Sequence, residues 1–250
     1  MSEPAAWTVA APGPLRESTV WRAPLALDET GRAACLAALS EEERTRVGRF
    51  VRREDRDRYA ASHAALRRIL GGALGADPAA LRFRANATGK PELDGPWRER
   101  LAFNLSHSGG IGLIGLSPDA HIGVDVEWVR PIPDALSLAR SHFAEGEAAA
   151  LAALSPEVLQ AAFYACWTRK EAFVKALGLG LSFPLDRFAV AIPPAPAALL
   201  AVDGSADAAR AWSLQHLAPA PAHIGAVAIE APGRTCALRS LAPDWASTPV

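Results

Sequence analysis

Residues 122–128, Ile-Gly-Val-Asp-Val-Glu-Trp, alternate apolar and other side chains without a break. A period of two belongs to a strand with one buried face. Ile122, Val124 and Val126 are therefore expected to point into a core while Asp125 and Glu127 project together from the opposite side. The chain must then supply both a hydrophobic layer under this strand and surroundings that tolerate two neighbouring carboxylates. Like charges on one face of a strand repel unless water screens them or a cation sits between them. Mg²⁺ binds through one or two carboxylates together with phosphate oxygens and water. A metal site and an ordinary solvated acidic face are both open readings of this segment.

The rest of the pattern alternates strands and helices. Residues 18–25 read as a strand, and Ser40-Glu-Glu-Glu43 has capping-box spacing and opens one or two helices that end at Gly71-Gly72. Residues 81–84 read as a strand and residues 86–91 as a loop. The apolar runs 101–105 and 111–116 suit two strands joined by a glycine-rich connection, Ser106-His-Ser-Gly-Gly110. A helical stretch covers about 138–154. Ser155-Pro156 then starts a helix that Gly178 stops. Residues 188–192, 211–216, 224–229 and 235–238 read as strands, 193–201 as a loop and the C-terminal residues as a loose tail. This order predicts an α/β (α+β) chain of two halves, 1–119 and 120–250.

With 50% hydrophobic and 21% charged residues, 250 residues can bury a substantial core, which excludes disordered and disulfide-stapled classes. A formal charge of −1 argues against broad binding to nucleic acid or an anionic membrane. The three cysteines are far apart and lack zinc-ligand spacing, the first residues lack a signal-peptide pattern, and no apolar run approaches the roughly 18 residues of a membrane span. A cytoplasmic location is expected. Among 26 basic residues only Lys90, Lys170 and Lys175 are lysines. A compact ammonium on a flexible stem behaves differently from a planar guanidinium, so these three are candidates for specific work, with chance as the alternative.

Two further segments carry chemistry. Phe163, Trp167, Glu171 and Lys175 recur every fourth residue and form one helix stripe, aromatic at its start and charged at its end. An exposed Glu-Lys pair is the plain reading. Charges in line with large apolar residues instead suit a helix end that lines a polar pocket. In Asn104-Leu-Ser-His-Ser-Gly-Gly110, small residues and His107 could approach an anion, or His107 could be a satisfied turn residue. A Ser-His nucleophile pair is a rival, although adjacent strand residues point apart and no G-x-S-x-G elbow is present.

Gly89-Lys-Pro91, Asn104-Leu-Ser-His-Ser108, Gly123-Val-Asp-Val-Glu127 and Trp167-Thr-Arg-Lys-Glu-Ala-Phe-Val-Lys175, in this order, resemble the motifs of the Sfp-type 4′-phosphopantetheinyl transferase family. Arg58 and Arg67 also fit, and the resemblance spans roughly residues 39–190. It implies a pseudo-twofold pair of α/β halves with coenzyme A in the cleft between them. Asp125, Glu127 and Glu171 match that family's ligands for Mg²⁺, with Mn²⁺ as an alternative. Arg58 and His107 match residues that hold the 3′-phosphate, Ser106 lies in the same motif, Lys90 falls near the adenine end, and Lys170 and Lys175 match a lysine pair of which Lys175 reaches the diphosphate. One departure is Glu43, where many relatives carry a basic residue. Arg46 fits, so grip on the phosphate would lean on Arg46 and Arg58. The implied reaction is attack by a serine of an apo acyl or peptidyl carrier protein on the β-phosphorus. Glu171 or a water at the metal takes the proton, Lys175 stabilises developing charge, and the enzyme is a monomer. A non-catalytic coenzyme A-binding module and a Ser-His hydrolase are the competing classes.

Overall fold

The computed structural model describes residues 6–180 and 183–248. The chain opens with β1 (Thr8–Val9) and β2 (Thr19–Pro24), followed by α1 (Glu29–Ala38), α2 (Glu41–Arg49) and α3 (Arg53–Leu74). A small hairpin, β3 (Phe83–Ala85) and β4 (Pro91–Leu93), precedes β5 (Ala102–Ser108), β6 (Ile111–Ser117) and β7 (Ile122–Trp128). Helices α4 (Ala135–His142), α5 (Glu145–Ala152) and α6 (Pro156–Leu177) come next. The last elements are β8 (Phe188–Val190), β9 (Leu199–Val202), α7 (Ala206–Ala209), β10 (Ser213–Leu217), β11 (His223–Ile229) and β12 (Ala237–Ser240).

Two sheets carry the architecture, ordered β1-β12-β2-β6-β5 and β10-β11-β7. One core lies between the first sheet and α1–α3, around Trp21, Leu66, Leu70 and Phe103, and another lies under α4–α6, around Phe143, Phe163 and Phe173. A third joins the sheets through Val20, Leu113, Val124 and Val227. The expected α/β class holds. The division at residue 119 is crossed by β12, which comes from the later stretch yet pairs with β1 and β2 in the first sheet. No described helix is long and apolar enough to cross a membrane.

Local rules account for most elements. Ser40 and Glu43 close a capping box on α2, Pro156 sits in the first turn of α6, and Gly178 ends α6 in the left-handed conformation (φ 69°). The stretch expected to hold one or two helices contains two, because Phe50 leaves helical geometry (ψ 135°) and its ring packs 5.4 Å from that of Tyr59. Helix α1, capped by the Asp28 carboxylate, was not expected, and β9 lies where a loop was read. The tail is not loose. Trp245 is buried and its indole N–H donates to Pro24 O at 2.8 Å, while Arg68 donates to Trp245 O.

Candidate active site

The site is assembled on β7. As the alternation requires, Ile122, Val124 and Val126 are fully buried in the inter-sheet core, and Asp125 and Glu127 share the other face. Gly123 is on that face too, and helix α6 lies directly on it. A Cβ at this position would stand 2.1 Å from Ala172 O and 2.3 Å from Ala176 N. The missing side chain lets α6 touch the strand and brings the stripe of Trp167, Glu171 and Lys175, half-buried among buried neighbours, to the carboxylates. Lys175 Nζ lies 2.5 Å from Asp125 Oδ1 and donates to Ser106 Oγ at 3.1 Å.

The acids interact electrostatically. Burial pushes Glu127 and Glu171 above the usual carboxylate range, and the charge of Asp125 adds to the shift in both. Asp125 is 3% exposed, and its Oδ2 is buried with no hydrogen-bond partner. A buried carboxylate oxygen without a donor has room for a further partner, an ordered water or a cation. Three oxygen-donor groups of this charge suit a hard divalent ion. As the side chains lie, no group of three or more His, Cys, Asp or Glu among the described residues forms a ready metal cage. The donor set fits the ion, with Lys175 standing as the counter-charge on Asp125.

Strand β5 runs beside β7 and corrects the loop reading of residues 106–110. The strand continues through Ser108, and only Gly109 (φ 57°) and Gly110 form the turn. Alternation therefore separates His107 from the serines. Ser106 and Ser108 face β7 and donate to Asp125 and Glu127, both at 2.9 Å. The hydroxyl of Ser106, expected at the coenzyme, is engaged by Asp125, Lys175 and the Val126 N–H. His107 faces a cleft of about 300 Å³ shared with Arg58, Tyr59, Trp128 and Arg130. Desolvation first, and then the positive charges of Lys175 and Arg58, push its ring below the usual imidazole range. Arg46, exposed, places its guanidinium 5.7 Å from the centroid of the Tyr59 ring. Arg58 and His107 thus line one opening, and Arg46 is joined to it through the ring of Tyr59. Tyr59, Trp128 and Arg130 also line it and were not among the expected site residues.

Two of the three lysines are placed otherwise than expected. Lys170 is fully buried, paired with Glu147 at 2.7 Å and donating to Leu185 O and Phe188 O. Consecutive helical residues point about 100° apart, so the turn that aims Glu171 at the cleft aims Lys170 into the core under α6. In this structure its ammonium is engaged inside the core and does not face the cleft. Lys170→Ala leaves Glu147 buried and uncompensated, and is expected to cost about 3–5 kcal/mol in chemical denaturation. Lys90 donates to Lys175 O, Ala176 O and Ile122 O, capping the end of α6, and burial lowers it to about 8. Its ammonium is spent on protein carbonyls, although its stem lines a cavity of about 560 Å³ with Pro91, Phe103, His121 and Leu177. Glu43, the departure from the family pattern, caps α2 and pairs at 2.7 Å with Arg67, which is 2% exposed and far from solvent.

The family model described as 4′-phosphopantetheinyl transferase superfamily matches residues 121–229, and that described as 4′-phosphopantetheinyl transferase, N-terminal, matches residues 29–117. The chain is 38% identical over 214 residues to the 4′-phosphopantetheinyl transferase HetI of Nostoc sp., covering 85% of this chain and 87% of that protein. It is 32% identical over 167 residues to 4′-phosphopantetheinyl transferase Sfp of Bacillus subtilis, covering 67% of this chain and 71% of that protein. To the human L-aminoadipate-semialdehyde dehydrogenase-phosphopantetheinyl transferase it is 28% identical over 167 residues, covering 63% and 54%. With its carboxylate strand, its Glu-Lys helix and these relatives, the chain belongs to the Sfp-type 4′-phosphopantetheinyl transferase family.

Proposed function

We propose that this chain transfers the 4′-phosphopantetheine arm of coenzyme A to a serine hydroxyl of an apo acyl or peptidyl carrier protein and releases 3′,5′-ADP. The observation that carries the reading is the junction of β7 with α6, where Asp125, Glu127, Glu171 and Lys175 meet beside an opening edged by Arg58 and His107. Arg46, Arg58 and His107 are suited to hold the 3′-phosphate. Asp125, Glu127 and Glu171 would hold Mg²⁺ or Mn²⁺, which when bound neutralises diphosphate charge and orients the scissile bond.

The chain's own groups do the rest. As the carrier's serine oxygen bonds to the β-phosphorus and the bond to the leaving ADP breaks, Glu171 is placed to accept the serine proton. Lys175 offsets charge that develops on the bridging and leaving oxygens. The Ser-His hydrolase reading loses support because Ser106 and Ser108 turn away from His107 toward the acids. The direct test is mass spectrometry of an apo-carrier incubated with this protein, coenzyme A and Mg²⁺. Addition of one phosphopantetheine arm supports the proposal, and an unmodified carrier with several candidate carriers overturns it.

The raised carboxylates also predict a trade-off. A carboxylate that binds protons more tightly in the folded than in the unfolded chain contributes stability below its ordinary range, near 4.5, and that contribution is lost as pH rises through the elevated value. Glu171→Gln removes the repulsion. It is expected to raise the melting temperature of the metal-free protein at neutral pH while abolishing carrier loading, with the gain in melting temperature vanishing as pH falls toward the ordinary glutamate range.

A further inference from the structure

Strands β5 and β7 belong to different sheets, yet they run side by side, and side chains of β5 replace the carbonyls of a normal ladder. Asn104 Oδ1 accepts the Val124 N–H at 2.9 Å, Ser106 Oγ the Val126 N–H at 3.4 Å, and Ser108 Oγ the Trp128 N–H at 3.1 Å. Each serine O–H in turn donates a hydrogen bond to the carboxylate one residue earlier on β7, Ser106 to Asp125 and Ser108 to Glu127. A hydroxyl is the group that can accept and donate through one short-stemmed atom. At the Asn104 rung the preceding β7 residue is Gly123, so no proton is required there and an amide oxygen suffices.

We propose that Ser108 is a positioning residue for Glu127. Its oxygen is pinned by the backbone of Trp128, and its O–H fixes the Glu127 carboxylate at the end of a partly buried side chain with three torsions. Partners of this kind set the orientation of metal-binding carboxylates and their affinity. The proposal rests on the metal reading given above. Ser106 performs the same operation on Asp125 but shares its oxygen with Lys175, so its removal disturbs two groups at once. Ser108 has no second charged partner of that kind.

The test uses the purified full chain with coenzyme A, titrated with Mn²⁺ and read by the electron paramagnetic resonance signal of the free ion. Ser108→Ala is expected to weaken Mn²⁺ binding about tenfold. Coenzyme A affinity in that variant should move less than about twofold, and Ser108→Thr should recover Mn²⁺ binding to within about threefold of the parent. In a Glu127→Ala background, Ser108→Ala should add less than about twofold, because its partner is gone. Mn²⁺ binding that is unchanged in Ser108→Ala, or a Ser108→Ala penalty that persists undiminished without Glu127, overturns the proposal while leaving the metal reading intact. Mn²⁺ binding unchanged in Glu127→Ala alone overturns the metal reading, and this proposal with it. Should Ser108→Ala melt early, Ser108→Thr against the isosteric Ser108→Val makes the same comparison with strand shape held constant.

Discussion

Asp125→Ala is expected to slow carrier loading about a thousandfold, the equivalent of about 4 kcal/mol of transition-state stabilisation. Asp125 is the centre of the cluster. It accepts from Ser106 and Lys175, its second oxygen lacks any partner, and its charge raises both Glu127 and Glu171. Loss of its carboxylate leaves two acids that repel less and a Lys175 ammonium without its counter-charge. The fold should survive, because the apolar core under the strand, Ile122, Val124 and Val126, is untouched, and the Lys175 side chain left without its counter-charge is partly open to solvent. The measurement is the initial rate of phosphopantetheine addition by mass spectrometry beside the near-ultraviolet circular dichroism of the same sample. A near-parental rate would remove Asp125 from the reaction. A lost tertiary spectrum would move its role from chemistry to folding.

Gly123→Ala is expected to be nearly as damaging by a different route. The added methyl would meet two backbone atoms of α6, at 2.1 and 2.3 Å, and neither can swing aside as a side-chain tip could. Either α6 lifts from β7 or the strand bends, and overpacking of this kind costs about 1–3 kcal/mol and sometimes more. The functional loss should exceed the loss of stability. A shift of about 1 Å in positioned catalytic groups can cost about a hundredfold in rate, and α6 carries both Glu171 and Lys175. Thermal unfolding and loading rate measured on one preparation separate the two effects. Rates that fall only as far as the folded fraction falls would deny Gly123 any role in spacing the site.

These two residues mark how far the sequence could be read. Asp125 and Glu127 were legible as a pair because strand periodicity alone assigns them to one face. Glu171 and Lys175 were legible as a stripe because helix periodicity does the same. That Gly123 is the contact joining stripe to pair was not legible, since a glycine in a strand has several possible causes and only the position of α6 selects among them. Lys170 shows the opposite error. Its motif neighbours made it look like a partner of Lys175, but 100° of helical rotation put it against Glu147. Ser106 and Ser108 were read as a loop because the strand ends in two glycines, and the extra turn signal hid the alternation that aims both hydroxyls at the acids.

What the amino acids determined by themselves is whatever short-range geometry fixes: the faces of β7 and α6, the capping box at Ser40 and Glu43, the stop at Gly178. What only the folded chain decided is which face meets which. Lys175 reaches Asp125 across 50 residues, Lys90 closes a helix 85 residues away, and Trp245 docks on Pro24 across 221. Periodicity repeats over a few residues and carries no label for a distant partner. That choice is made by the joint burial of three cores and the pairing of most polar groups caught between them.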